Sequence, residues 1–452
     1  MKVIHFATTN AGGAGIAATR IHNLLREMGH ESHLYVQHKE LDSEETTEVS
    51  NKGGQGKKYM VWMRLQRKLS KFFKRGSKDT DWKRFRKDDV YCYNDYDEEN
   101  PDGFFAGLEN IIDLKNVDII FVHQIIGFLN TYDIKRLYDK THARVIFTMM
   151  DMAPVTGGCH YAWDCRKFYD TCFNCPALPY ELNTRSHFQL EAKAQNILYM
   201  NAEIMSNADY DLDFARKSAI PFSKYWQYFY PVDEDVFAPS MVKKDENTKY
   251  LFSIANFAND VRKGFTYVLQ TLIYLDKKIP DGQKVKMLCL EPSLFNNYKF
   301  EKIEFEKFGF CRNVNDLAKV YNKADVFMCT SVEDSAPMML EEALLCGVPT
   351  VSFDVGTAKQ FIVNGKNGFV AERFNTLDFA EKVYTLLYKK PRSLSKAQDI
   401  HNGMVKILGK KVVIKQFEEI LSTEKTNGLK TVKRSVSKIV ETVKSFGKGS
   451  KK

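Results

Sequence analysis

Residues 325–354, DVFMCTSVEDSAPMMLEEALLCGVPTVSFD, are compatible with few folds. An apolar run from Asp325 to Cys329 has the length and the β-branched and aromatic content of a buried parallel strand. Small and polar residues follow, then Pro337, which suits a first helical turn because its missing N–H has no helical partner there. A helical pattern closes at Gly347 and Pro349, a stop signal, and residues 350–354 open a second apolar run. Strand, loop, helix, strand in this order is the unit of a parallel α/β sheet. It places the loop at the carboxyl end of a strand, the edge at which such sheets take ligands.

Two acids lie in this block. Asp334 is in the loop, and Glu342 shares a helical face with Met338 and Leu345. An ionised carboxylate among apolar side chains costs free energy unless donors reach it, and ribose hydroxyls are such donors. The helix N-terminus beyond the loop suits phosphate or sugar oxygens. A helix-capping Asp334 and a rim Glu342 is the plainer alternative.

The block Asp334-Ser-Ala-Pro337 to Glu342-Ala-Leu-Leu-Cys346-Gly347 resembles the E-x7-E motif of glycosyltransferase family 4, the retaining, nucleotide-sugar-dependent enzymes of the GT-B fold. The resemblance implies two Rossmann-like domains facing across a cleft. It extends over most of residues 1–420, leaving out residues 40–105. Residues 151–161, DMAPVTGGCHY, resemble the HDMWxxTGGCHY signature of bacterial polysaccharide enzymes in that family, with Met150 where the family has histidine. Arg262-Lys263-Gly264 resembles the family's R-K-G, whose lysine holds the donor diphosphate; Asn256 or a neighbour stands where relatives carry a further arginine. Residues 230–239, YPVDEDVFAP, resemble the interdomain linker.

On this reading Asp334, Lys263 and Arg262 are the expected catalytic residues. Glu342, Ser335, Ala336, Gly13 and Phe310 are expected on the donor, and His123, Asp151 and Thr156 on the acceptor. The expected domains are an N-terminal acceptor domain over 1–232 and a nucleotide-sugar domain over 233–408. A helix crossing back over 409–424 and a basic tail over 425–452 complete the chain. The expected activity is retaining transfer of a hexose-type sugar to a saccharide, lipid-linked, in cell-surface polysaccharide synthesis. The substitution at Met150 leaves open a GT-B-like binding or scaffold protein without catalysis.

Other features are read from the residues themselves. The chain opens on a strand over 2–8, a glycine loop at 10–15, a helix and a second strand over 31–37, the βαβ beginning of a Rossmann-like unit. Residues 40–56 read as a flexible loop. The acid pairs at Asp95/Asp97, Asp211/Asp213 and Asp233/Asp235 read as solvated, and catalysis is expected to need no metal.

Cys159, Cys165, Cys172 and Cys175 fall within seventeen residues in a C-x5-C-x6-C-x2-C pattern. Four thiolates suit a tetrahedral, structural zinc, and four unmetallated thiols are the alternative.

Net charge is +9, but residues 56–75 and 425–452 carry +8 each, which leaves −7 for the rest. Both segments place apolar residues on one helical face: Trp62, Leu65, Leu69, Phe72 and Phe73 in the first, and Leu429, Val432, Val436, Ile439, Val443 and Phe446 in the second. Basic amphipathic helices of this kind lie in anionic membrane interfaces. No apolar run approaches the ~20 residues of a membrane span. The chain is therefore expected in the cytoplasm, attached to the inner face of the plasma membrane and not bound to nucleic acid, with reduced cysteines.

Overall fold

The computed structural model describes residues 1–49, 89–240, 242, 244–253, 260–308, 311 and 313–423. Both basic segments and Phe310 lie outside the described residues. The chain divides into two compact units. Unit 1 comprises Met1–Ser206, Asp211–Gln227 and the chain from Glu418, and unit 2 comprises Asn207–Tyr210 and Tyr228–Phe417.

Unit 1 contains strands β1 (Lys2–Thr9), β2 (Glu31–His38), β3 (Thr46–Glu48), β4 (Ile119–Val122), β5 (Arg144–Thr148), β6 (Glu203–Ser206) and β7 (Tyr225–Gln227). Its principal helices are α1 (Gly12–Glu27), α2 (Thr131–Thr141), α3 (Arg185–Met200) and α4 (Asp209–Lys217), of which the first two residues of α4 fall in unit 2. The sheet order is β3-β2-β1-β4-β5-β6-β7, and every pairing is parallel. Strands covered on both faces must be apolar throughout, and Val3, Ile4 and Phe6 of β1 and all four residues of β4 are buried. Helix α2 is started by a reciprocal capping box between Asn130 and Asp133.

Unit 2 contains β8 (Thr248–Phe252), β9 (Lys284–Cys289), β10 (Ile303–Lys307), β11 (Val326–Cys329), β12 (Thr350–Phe353) and β13 (Gly368–Ala371), in the order β10-β9-β8-β11-β12-β13 and again wholly parallel. Its helices are α5 (Phe265–Asp276), α6 (Val314–Lys323), α7 (Met338–Leu345), the single turn α8 (Ala358–Phe361), α9 (Thr376–Tyr384), α10 (Leu394–Leu408) and α11 (Lys410–Ser422). Residues of α11 from Glu418 belong to unit 1, where Arg144 donates to the carbonyls of Ile420 and Leu421.

The order of strands positions the candidate sites. In unit 2 the chain runs outward from β8 to β10 and then returns to lay β11 on the other side of β8. Strands β8 and β11 therefore flank a switch point, the place at which open α/β sheets take ligands at their carboxyl edge. Unit 1 repeats the pattern between β1 and β4.

Two expectations are corrected. Residues 46–48 are not loop but the edge strand β3, with Leu34 opposite Thr46; a three-residue polar strand has no apolar alternation to announce it. Asp211 is not solvated: it is fully buried and accepts a hydrogen bond from Ser206, because α4 packs that face inward.

Candidate functional site

At the unit 2 switch point the loop after β8 ends in a short 3-10 turn, Val261–Lys263, and the loop after β11 runs from Thr330 to Pro337. The two are laced together. The Val332 N–H donates to the Arg262 carbonyl at 2.8 Å, and the Thr330 hydroxyl to the Lys263 carbonyl at 3.0 Å. Gly264 makes this approach feasible: its φ is +72°, and a Cβ there would stand 1.9 Å from the Thr330 carbonyl oxygen. Only glycine adopts that backbone at no steric cost.

Lys263 Nζ lies 2.5 Å from Asp334 Oδ2. The Arg262 guanidinium is almost buried, donating to Asp260 at 2.6 Å and to the Glu333 carbonyl at 3.3 Å. Burial of Asp334 acts to raise its pKa, but Lys263 and Arg262 outweigh it, and the carboxyl is held below its ordinary value. It is therefore an anion at neutral pH, while Lys263 keeps about a third of its side chain exposed (34%).

Helix α7 then starts after Pro337 with no side-chain cap, so the positive end of its dipole lies beside these loops. The Ser335 hydroxyl, just before it, is buried and has no hydrogen-bond partner among the described residues. The structure thus brings Lys263, Asp334, Ser335 and Ala336 to one pair of loops. Glu342 lies further along α7, is 4% exposed, and accepts a 3.0 Å hydrogen bond from the Tyr321 hydroxyl of α6.

In unit 1 the expected acceptor residues gather at the corresponding edge. His123, Thr148, Asp151, Tyr96, Glu98 and Lys193 are among the residues lining a cavity of about 420 Å³. Asp151 accepts from His160 Nδ1 at 2.6 Å, from Gln124 at 3.2 Å and from the Ala153 N–H at 2.8 Å, and the Tyr96 hydroxyl lies 2.9 Å from His160 Nε2. Burial works to raise the Asp151 pKa, yet His160 and the other donors hold it below the usual carboxylate range. Glu98 goes the other way: burial raises its pKa, only partly countered by Lys193. Met150 packs against Ala7, Ala18, Leu34 and Val36, where its thioether acts as filler. The Thr156 hydroxyl is engaged inside its own turn, donating to the Cys159 carbonyl at 2.6 Å. Gly13, in the first turn of α1, has nothing within 4 Å of the position a Cβ would take, so the space before it is open.

His123 belongs to a buried relay that sequence reasoning missed. His22 Nε2 faces the Glu44 carbonyl (3.1 Å) and His22 Nδ1 the Ser32 hydroxyl (2.8 Å). Ser32 meets His5 Nε2 (3.0 Å), His5 Nδ1 meets His123 Nε2 (2.9 Å), and His123 Nδ1 meets Thr148 (2.8 Å). Only one set of neutral tautomers satisfies this chain. The Glu44 carbonyl can only accept, so His22 Nε2 carries the proton and its Nδ1 accepts from Ser32. The serine then accepts from His5 Nε2–H, His5 Nδ1 accepts from His123 Nε2–H, and Thr148 donates to His123. Burial, with His22 adding repulsion, pushes the His123 pKa down to about 3.

The four cysteines of the C-x5-C-x6-C-x2-C stretch line a second cavity of unit 1, about 300 Å³ in volume. All four are free thiols. Among the described residues no group of three or more histidine, cysteine or acidic side chains stands arranged as metal ligands.

The unit 2 geometry has counterparts among known proteins. Residues 248–389 match the family model described as Glycosyl transferases group 1. An uncharacterised glycosyltransferase of Haemophilus influenzae is 28% identical over 163 residues, covering 35% of this chain and 45% of that protein. An N-acetyl-alpha-D-glucosaminyl L-malate synthase of Bacillus anthracis is 25% identical over 180 residues, covering 39% and 45%. The matched stretches thus span less than half the length of these relatives. The crystal structure of Anabaena HepE in complex with UDP and glucose superposes with a TM-score of 0.58 at 11% identity, over 94% of this chain and 100% of that one. At that identity the likeness establishes the fold: two Rossmann-like parallel-sheet units of the GT-B class.

Proposed function

We propose that the chain is a glycosyltransferase that takes a sugar from a nucleoside diphosphate sugar and delivers it to a saccharide acceptor. The observation that carries this reading is the Lys263–Asp334 pair beside the uncapped start of α7 and the unpartnered Ser335 hydroxyl. A cation, the positive end of a helix dipole and an orphaned hydroxyl together fit the oxygens of a diphosphate and a sugar. The Haemophilus influenzae relative is a glycosyltransferase by name, and the Anabaena neighbour is described with UDP and glucose.

In the proposed reaction the bond between the anomeric carbon and the donor phosphate oxygen breaks, and the bond to the acceptor oxygen forms on the same face. The acceptor proton passes to the departing phosphate. Charge builds on the diphosphate as it leaves, and Lys263 stabilises it, with Arg262 holding the loop. Asp334 and the Ser335–Ala336 backbone orient the transferred hexose, and Glu342 takes the ribose. Unit 1 takes the acceptor at the cavity of Asp151 and His123. A lipid-linked saccharide of cell-surface polysaccharide synthesis is the proposed acceptor, since the two basic segments suit an anionic membrane at the cytoplasmic face.

The test is a panel of nucleoside diphosphate sugars, first by thermal shift and then by turnover with saccharide acceptors. A donor should raise the melting temperature and turn over, and Lys263→Ala should lower turnover by roughly 10²-fold or more, the usual size for loss of one oxyanion-stabilising group. Near-wild-type turnover in Lys263→Ala, or no turnover with any donor, overturns the reading.

A further inference from the structure

The stretch from Gly157 to Thr184 crosses unit 1 with no strand or α-helix, only two 3-10 turns, Lys167–Tyr169 and Tyr180–Leu182. A segment without a ladder of its own needs another constraint to hold one conformation. The four cysteines spaced along it all reach the same cavity, together with Lys167, Phe168 and Ser186.

The sulfurs act on one another: the hydrogen bond to Cys175, with burial, pushes the Cys159 thiol up, burial pushes Cys172 up to about 12, and the hydrogen bond from Cys159 brings Cys175 down to about 6. The Cys159 thiol reaches the Cys175 sulfur, and the Ser186 hydroxyl beside them donates to the Cys172 carbonyl at 2.8 Å. Cys172 accepts from the Gly157 N–H. The backbone is shaped to match, with Cys172 and Asn174 both in the left-handed region, at φ +52° and +53°. The buried Lys193 ammonium lies within electrostatic reach of Cys159 and Cys172.

We propose that Cys159, Cys165, Cys172 and Cys175 bind one divalent, thiolate-preferring metal ion, zinc, which staples residues 157–184. The site is structural, because four protein sulfurs close a tetrahedral ion and leave no position for substrate. Binding four thiols as thiolates releases up to four protons to solvent and leaves the centre at −2, which Lys193 and Lys167 offset. The thiols turn onto the ion from the positions in which all four already line one cavity.

The experiment is metal analysis of the full chain purified under reducing conditions, with cobalt substitution and cysteine variants. We expect one equivalent of zinc per chain, released together with four reactive thiols. Cobalt should give the intense thiolate-to-metal absorption of a tetrahedral sulfur site. Metal content should fall at least tenfold in Cys165→Ser and Cys172→Ser and be unchanged in Cys311→Ser, which lies in unit 2. Should either loop variant fail to fold, the cobalt spectrum of the unaltered chain decides alone. A chain that takes up no stoichiometric zinc or cobalt, a disulfide between Cys159 and Cys175, or zinc retained in Cys165→Ser each overturns the proposal. None of these readouts depends on turnover, so they stand apart from the fate of the donor site.

Discussion

Ser335 separates function from stability more cleanly than any ion pair in the donor loops. Its hydroxyl is buried without a partner, and a buried polar group left unpaired costs stability that its removal recovers. Ser335→Ala should leave the urea midpoint unchanged or slightly raised. It should weaken donor binding by roughly fivefold to tenfold, about one hydrogen bond. A loss of stability with unaltered donor affinity would show that the hydroxyl serves the fold and not a ligand. The sequence named Ser335 through its motif, but nothing in its letters showed the hydroxyl to be orphaned. Glu333 shows the same limit in the other direction. It sits next to Asp334 and looks interchangeable with it, yet its carboxylate pairs with Arg373 at 2.6 Å, while Asp334 takes Lys263.

At the scale of elements, the histidine relay ties together α1, β1, β2 and β5 and the residue that follows β4. Its titration has a definite sign. Burial holds His123 neutral down to about pH 3, and His5 is shifted in the same direction chiefly by burial. The unfolded chain protonates them near pH 6.5. Between those values the unfolded state binds more protons, so stability is greatest above about pH 6.5 and falls as pH drops through that window. At pH 5 the loss is on the order of 1–2 kcal/mol for each buried histidine. The pairing of Asp334 contributes in the opposite range. Its folded pKa is depressed, so its contribution is intact at pH 5 and is lost only below the usual carboxylate values. Urea midpoints at pH 7.5 and pH 5 should therefore differ, and His123→Gln should flatten the difference. An equal slope in the variant would remove the relay from the explanation.

Elements were legible where their period was strong. The strands expected over 2–8 and 31–37 are β1 and β2, each one residue longer than its sequence reading. Helix α10 carries its own signal: Ser393 caps it, and Ala397, Ile400, Met404 and Leu408 recur at spacings of three and four. Strand β3 had no such signal, since its three residues take their conformation from pairing with β2.

For the molecule as a whole, the two segments that carry the positive charge, 56–75 and 425–452, are outside the described residues, and no helix among the described residues is long and apolar enough to cross a membrane. If those segments attach the chain to anionic lipid, deleting residues 425–452 removes half of their charge. Binding to vesicles containing anionic lipid should fall by at least tenfold, given about 1 kcal/mol per basic residue at such a surface. Transfer to a water-soluble acceptor should be unaffected. Undiminished sedimentation with the vesicles would rule the tail out as an anchor.

The boundary between the two units came from the resemblance of residues 230–239 to a family linker, whereas local order in the chain was enough for the alternating strands and helices and for the loop in which a diphosphate is proposed to sit. These follow from hydrophobic period, caps and turn residues, which depend on neighbours a few positions away. Partnerships across 71 residues, as between Lys263 and Asp334, or across 118, as between His5 and His123, follow from which strands lie side by side. The same holds for the Asp151–His160–Tyr96 network and for the convergence of four cysteines on one cavity. Strand order and register are properties of the assembled sheet, so which polar groups were satisfied, and which were left open, was decided only when the sheets formed.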